Sequence, residues 1–275
     1  MKKLYIIVAL AIFIPNILKA QSDADALRYS MLDFGGTARS LGSGNAYGAV
    51  GGDYSSTSIN PAGLGIYRST EVVLSPGLAS INASSSFLGE TKTDSKYDFY
   101  LGNASLVISG IKEKNKNKTE GWIGGNFGIG YNKLANYNSE IYYSGFNNSS
   151  SLLDVYANYL NGVNPSDAFE ADPFGAGLAW ETYLINPEDD DTTSYYSIVN
   201  GGNVRQSKYI STKGDYDEMT ISFAGNYANR LYVGGTIGVP FIDYNSVTSY
   251  SEEDENGVHD DFINFTQTDV LNTSG

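Results

Sequence analysis

The sequence contains no cysteine. That removes disulfide frameworks, thiolate nucleophiles and cysteine metal sites at once. It contains a single histidine, His259, in an acidic polar stretch that reads as an exposed loop. One imidazole cannot build a multi-histidine metal centre, and without cysteine there is no nucleophile–base pair to nominate. Charge is also scarce: Asp, Glu, Lys and Arg make up 17% of the 275 residues, where ~25% is usual. What charge there is runs one way, to a formal net charge of −14. So acidic a chain repels phosphate backbones, so nucleic acid is not an expected partner. The carboxylate runs "NPEDDD" (186–191) and "SEEDEN" (251–256) lack the spacing of a calcium loop and read as solvated loops. No enzyme activity, metal or cofactor is expected. After the first twenty residues no stretch is apolar enough, over the ~20 residues required, to cross a membrane as a helix.

What is abundant is tyrosine (22), glycine (31), asparagine and serine. These suit many strands and turns better than helices. The start of the chain, "MKKLYIIVALAIFIPNILKAQS", has Lys2 and Lys3 ahead of an apolar run from Leu4 to Ile14, then a helix-breaking Pro15 and a small Ala20. This is the pattern of a secretory signal peptide over 1–20, cleaved after Ala20. Residues 21–69 lack strong periodicity. "DADALRYSMLDFGG" can hold a short helix, and a Gly/Ala/Ser-rich run follows, then "SINPAGLG" (58–65). Asn-Pro starts turns, and Pro61 disfavours αR at Asn60, so this segment is no helix interior.

From residue 70 the texture changes to period-2 alternation. In "GWIGGNFGIGY", Ile123, Phe127, Ile129 and Tyr131 share one face, while Gly124, Asn126, Gly128 and Gly130 share the other. In "EMTISFAGNY", Met219, Ile221, Phe223 and Tyr227 oppose Thr220, Ser222, Ala224 and Asn226. In "RLYVGGTIGVPF", Leu231, Val233, Ile237, Val239 and Phe241 oppose Tyr232, Gly234, Thr236 and Gly238. "ANR" (228–230) joins the last two as a hairpin turn. Strands of roughly 9 to 12 residues, one bulky apolar face, one small or polar face, and tight turns alternating with long polar connections together predict an antiparallel transmembrane β-barrel rather than a sandwich. The connection from about 145 to 205 places Leu152, Leu153, Tyr156 and Leu160 at helical spacing, predicting an external helical excursion.

The stretch "ARSLGSGNAYGAVGGDYSSTSINPAGLG" resembles the N-terminal region of the FadL/TodX family of outer-membrane channels for hydrophobic compounds, in wording closest to Bacteroidetes-type members. Ala38, Arg39, Leu41, Gly42, Gly44 and Ala46 carry the first part, Ala49, Val50 and Asp53 the middle, and Asn60, Pro61, Ala62 and Gly63 the end. The resemblance implies an all-β fold, a barrel of 14 strands whose lumen holds an N-terminal hatch. Residues 21–69 would be that hatch, shaped by Asn60, Pro61, Ala62 and Gly63 and packed through Arg39, Leu41, Gly42, Gly44, Ala46 and Asp53. Residues 70–275 would be a partial barrel, since six or seven strands are countable and Gly275 is not the terminal aromatic residue of such barrels. The implied function is passive uptake of hydrophobic small molecules, such as long-chain fatty acids or aromatic hydrocarbons, across the cell outer membrane. Lipid and lipopolysaccharide would surround the barrel. The alternatives are a FadL-like component of protein secretion, with secretion-system proteins as partners, and a secreted β-rich adhesin.

Overall fold

The computed structural model describes residues 23–32, 35–115, 118–199 and 201–275. The signal-peptide expectation for 1–20 lies outside them. The chain is 51% strand, arranged antiparallel, with few and short helices. α1 (Asp23–Ser30), α2 (Ala38–Gly42) and α3 (Tyr47–Val50) precede two 3-10 turns, Tyr54–Ser58 and Pro61–Ile66. Then come β1 (Glu71–Phe87), β2 (Glu90–Ser109), β3 (Trp122–Asn136), β4 (Ser139–Asn147), α4 (Leu152–Leu160), α5 (Ala168–Ala171), α6 (Ala176–Glu181), β5 (Ile185–Pro187), β6 (Tyr195–Ser197), β7 (Val204–Tyr227), β8 (Leu231–Glu253) and β9 (Asn264–Ser274). Seven strands form one sheet in the order β1-β2-β3-β7-β8-β9, with β4 also pairing β7. β5 and β6 form a separate hairpin. The large sheet ends on β1 and β9 and is not closed into a barrel.

Five of the seven strands are 15 to 24 residues long, well beyond the expected 9 to 12. Much of the extra length is polar and so carries little apolar alternation. In β2, Glu90, Lys92, Asp94, Lys96 and Asp98 take the more shielded face, and Thr91, Thr93, Ser95, Tyr97 and Phe99 the exposed one. Backbone pairing, which is blind to side chains, sustains such strands. The same effect corrects the acidic run "SEEDEN". Ser251–Glu253 is the end of β8, not loop, and Glu252 is fully buried. His259 is in a loop but is not an exposed residue: its Nε2 lies 2.8 Å from the Gly202 carbonyl and its ring meets Phe262 edge-on.

The chain divides into two compact units. The first holds the described residues up to Gly77, with 100–136 and 215–242. Here β3 pairs β7 in the register Phe127↔Phe223, Ile129↔Ile221 and Tyr131↔Met219. Those bulky side chains stay on one face, partly or largely exposed, while Asn126, Thr220, Ser222 and Asn226 are buried on the other. One residue departs from the expected alternation. A register shift between Trp122 and Gly124 moves Ile123 off the face of Phe127 and Ile129, and it is almost fully buried. The β7–β8 turn at Ala228–Asn229 has positive φ at both residues and closes with an Arg230 N–H to Tyr227 carbonyl bond of 3.0 Å. This is the backbone twist that two-residue hairpin loops favour.

The second unit holds 78–99, 137–214 and 243–275. β4 pairs β7 through Ser139↔Thr212 to Asn147↔Val204, and β8 pairs β9 through Asp243↔Ser274 to Glu253↔Asn264. The expected helix forms as α4. Its N-terminus is fixed by a capping box, in which Ser151 Oγ accepts from Leu153 N (3.0 Å) and Ser151 N donates to Asp154 Oδ2 (2.8 Å). Leu153, Ala157 and Leu160 then pack with Ala176, Ile185, Val199 and Phe262 into this unit's core.

Candidate functional site

The N-terminal segment lies against the small, polar face of the first unit, and the contacts explain why that face is small. Tyr54 is fully buried. A Cβ added to Gly128 or Gly130 would come within 2.8 or 2.4 Å of its ring, so those two glycines of β3 form the slot it fills. Its hydroxyl donates to the Thr220 carbonyl (3.0 Å) and lies 2.8 Å from Thr220 Oγ1. Burial raises the pKa of this phenol, so it stays a neutral donor.

The remaining polar side chains of the face satisfy backbone carbonyls of the segment, which a short irregular stretch cannot satisfy by itself. Asn126 Nδ2 donates to the Leu64 (2.8 Å) and Tyr67 (3.0 Å) carbonyls. Asn226 Nδ2 donates to that of Gly65 (3.3 Å), and Thr236 Oγ1 to that of Thr57 (3.0 Å). Leu64, Tyr67, Val107 and Ala224 complete the apolar contact around Tyr54.

Within the segment, Asp53 is the hub. Its carboxylate has no solvent exposure. It accepts from Thr37 Oγ1 at 2.8 Å to either oxygen, from Arg39 Nε (2.7 Å), from Ser55 N (3.0 Å) and from Ser55 Oγ. Burial pushes this carboxyl group up, but the hydrogen bonds from Ser55, Arg39 and Thr37 outweigh it and hold the pKa below the usual carboxylate value. Arg39 is half exposed and also reaches the Gly52 carbonyl and Glu71. Its hydrogen bond to Asp53 raises its own pKa further. Thr37, besides binding Asp53, caps α2 by accepting from Ser40 N (3.1 Å).

Of the ten expected residues, then, the fold joins Arg39 to Asp53 directly. Asn60 sits at φ −143° and ψ 88°, outside αR as the following proline requires, and donates to the Gly48 carbonyl (3.3 Å). Pro61 and Ala62 press on β8: a Cβ on Gly234 would fall 2.5 Å from the Pro61 carbonyl oxygen and 2.8 Å from Ala62 N. Gly63 is buried, its Cα so close to Gly51 that a Cβ there would be 2.8 Å away, and Gly51 itself has φ +69°. These four residues form the turn that seats the segment on β8.

Leu41, Gly42, Gly44 and Ala46 do not pack as expected. All four are exposed, and nothing lies within 4 Å of a Cβ built on Gly42 or Gly44. α2 is a single turn that buries only Ser40, which leaves Leu41 and Gly42 on its outer side. Gly44 serves a left-handed turn at φ +64°. The sequence placed Asn126, Thr220, Asn226 and Thr236 on the small face but gave them no role, and Tyr54 was not singled out. The signal for the four is a polar side chain in phase with small residues, which marks the face without naming the partner.

Among the described residues there is no cluster of side chains suited to a metal ion, and no helix long and apolar enough to cross a membrane. Comparison with protein-family models, with curated proteins and with solved structures finds no match for this chain.

Proposed function

We propose that the chain is part of an outer-membrane β-barrel channel for passive uptake of hydrophobic small molecules, with the N-terminal segment as a hatch on the luminal face of the wall. One observation carries this reading. The first unit's sheet is two-sided in an inverted sense, with its large apolar side chains outside and its small and polar ones against the N-terminal segment. Val72 is 75% exposed, Leu74 68%, Ile237 69% and Phe223 56%, with Ile221, Met219, Val233, Val239 and Phe241 beside them. A contiguous apolar surface of that kind is unfavourable in water and favourable in lipid.

The length of the face suits a membrane. On β8 the outward apolar positions run from Leu231 to Phe241, ten residue steps of ~3.3 Å or about 33 Å. At a barrel tilt of ~40° that covers about 25 Å across the bilayer, close to the apolar band of outer-membrane barrels. Trp122 and Tyr227 meet edge-on, ring centroids 5.6 Å apart, at the turn end of this face, where an aromatic girdle belongs. Under this reading the wall continues past β1 and β9 to the closed barrel of 14 strands, because lipid does not tolerate unpaired strand edges. The protein performs no catalysis. Its hatch is held by individual hydrogen bonds and glycine contacts that can be broken one by one, as a displaceable plug requires.

Membrane fractionation after expression, with binding of a radiolabelled long-chain fatty acid to the purified full chain, tests the proposal. Outer-membrane recovery with saturable binding that weakens on Pro61→Ala supports it. Recovery in the soluble fraction refutes it. The exposed aromatic residues of the 145–205 connection, among them Tyr159, Phe174 and Tyr183, favour the secretion alternative over the adhesin as second reading, since such side chains suit protein interfaces. Absence of fatty-acid binding together with a co-purifying secretion protein selects it.

A further inference from the structure

The second unit contains a cavity of about 520 Å³ between α4 and the strands, within the size range of small-molecule sites. Phe87, Tyr143, Tyr156 and Tyr250 supply much of its wall, and the Phe87 and Tyr143 rings lie 5.2 Å apart. Several polar groups around it are already committed. Gln267 accepts from Tyr156 Oη (2.6 Å) and donates to the Phe174 carbonyl (2.9 Å). Gln206 donates to Glu252 (2.9 Å) and to the Ser150 carbonyl, and accepts from Asn147 (3.1 Å). Tyr250 donates to Glu252 (2.6 Å).

Lys208 is different. It lines the same cavity, is half-buried, and makes no hydrogen bond or ion pair with any described residue. The other partly shielded cations of this unit are all paired: Lys96 with Glu140, Lys92 with Glu90, and Arg205 with Glu90 and Glu255. Asp269 also borders the cavity but forms no ion pair with Lys208. In so acidic a chain, a cavity-lining ammonium left without a carboxylate is open to an incoming anion, because a ligand that displaces water from such a charge must pair it. The register Tyr143↔Lys208 makes these two cavity-lining residues cross-strand neighbours.

We propose that this cavity binds a flat organic anion, an aromatic carboxylate in chemical class, with the anionic group on Lys208 and the ring system among Phe87, Tyr143, Tyr156 and Tyr250. A plain hydrocarbon would leave Lys208 desolvated and unpaired, and a cation would meet it as a like charge. The inference concerns binding alone and stands whether or not the chain forms a channel.

The test is calorimetric titration of the purified full chain with 2-naphthoate and with its neutral isostere 2-naphthamide. The intact chain binds naphthoate more tightly. Lys208→Met, which keeps the aliphatic stem, weakens naphthoate about 10- to 100-fold, the range of a charge-assisted hydrogen bond, and leaves naphthamide unchanged. Lys208→Arg restores naphthoate. Thr248→Trp, which fills the cavity, abolishes both. The proposal is overturned if the intact chain binds neither compound, if Lys208→Met leaves both affinities unchanged, or if it weakens the acid and the amide equally.

Discussion

Replacing Asp53 by Asn tests whether one carboxylate holds the N-terminal segment in place. The side chain keeps its size and one oxygen, enough for the Ser55 N–H and hydroxyl bonds. The second oxygen becomes an NH₂ facing the donor Arg39 Nε, which now lies 2.7 Å from an acceptor. Arg39 side chain is 46% exposed and can return to water, so its loss is small. Thr37 is buried, and its hydroxyl keeps at most one of its two bonds. One strained donor pair and one weakened buried hydroxyl amount to about 3 kcal/mol, at ~1–3 kcal/mol for each buried polar group left unmet. Local opening should then rise by about two decades, at ~1.4 kcal/mol per tenfold.

Native-state hydrogen exchange reads this directly at the Gly52, Ser56 and Ile59 amides, which are held by the Gly63, Asp53 and Ser56 carbonyls. Strand amides such as those of β3 report global stability in the same experiment. The pH dependence carries a sign. Because the folded pKa of Asp53 is depressed, its contribution is complete above the ordinary value of 3.8 and is lost as pH falls below it toward the folded pKa. Asp53→Asn should remove that acid-side transition from the three amides. Unchanged exchange in the variant, or an acid transition that survives it, would show that the segment is held by its sheet contacts alone.

Gly130→Val drives a branched side chain into the Tyr54 ring and should lower stability by about 1–3 kcal/mol in denaturant unfolding, whereas Gly42→Ala, with open space around it and a helical backbone, should be neutral or slightly stabilising. Asn126→Ala removes the shortest donor to the Leu64 and Tyr67 carbonyls, leaving them the longer bonds from Tyr67 N (3.3 Å) and Ser109 Oγ (3.5 Å), and should cost about 1–2 kcal/mol, seen as proteolysis at Arg68 at lower denaturant than in the parent. Glu252→Ala strips the acceptor from Ser151 Oγ, Leu152 N, Gln206 and Tyr250 and should loosen α4 by about 3 kcal/mol or more, read in near-ultraviolet dichroism of the Trp180–Tyr195 edge contact. Ile237→Arg separates lipid from water as the environment of the outward face: refolding into bilayers should be about 2–4 kcal/mol less favourable, and an unaffected refolding would count against a membrane-facing wall.

The antiparallel sheet, the faces of β7 and β8, the tight turn at 228–230 and the helix at 152–160 were legible because each rests on a local period or a local turn rule. The strand lengths were not. Polar alternation such as Glu90-Thr91-Lys92-Thr93-Asp94 has no apolar face to mark it, yet pairs as well as any other backbone. Ile123 escaped because a register shift is a property of two strands, and its cause is absent from either one read singly. Glu252 escaped for a related reason: its four donors come from residues 151, 152, 206 and 250, and nothing in "SEEDEN" announces them. At the candidate site the motif named Arg39 and Asp53, which the fold joins, but also Leu41 and Ala46, which it leaves exposed.

Glycine shows most sharply where a one-chain reading stops. Gly128 and Gly130 lie on the covered face of β3 and make room for Tyr54. Gly125 and Gly225 are cross-strand partners in phase with Phe127 and Phe223, and a Cβ on Gly225 would meet the Trp122 ring at 2.8 Å. The first pair is a socket for the N-terminal segment, and the second makes room for an aromatic ring on the opposite face. Alternation separates the two pairs by parity but cannot say that either is a socket, because the side chain each accommodates comes from elsewhere. Tyr54 is more than seventy residues before its slot. The small face of such a wall is therefore better regarded as the negative of what covers it, and the sequence to search for the missing half is the stretch whose own polar atoms are only partly satisfied locally. Here that stretch is 53–67, whose carbonyls at Thr57, Leu64, Gly65 and Tyr67 are the ones that Thr236, Asn126 and Asn226 complete.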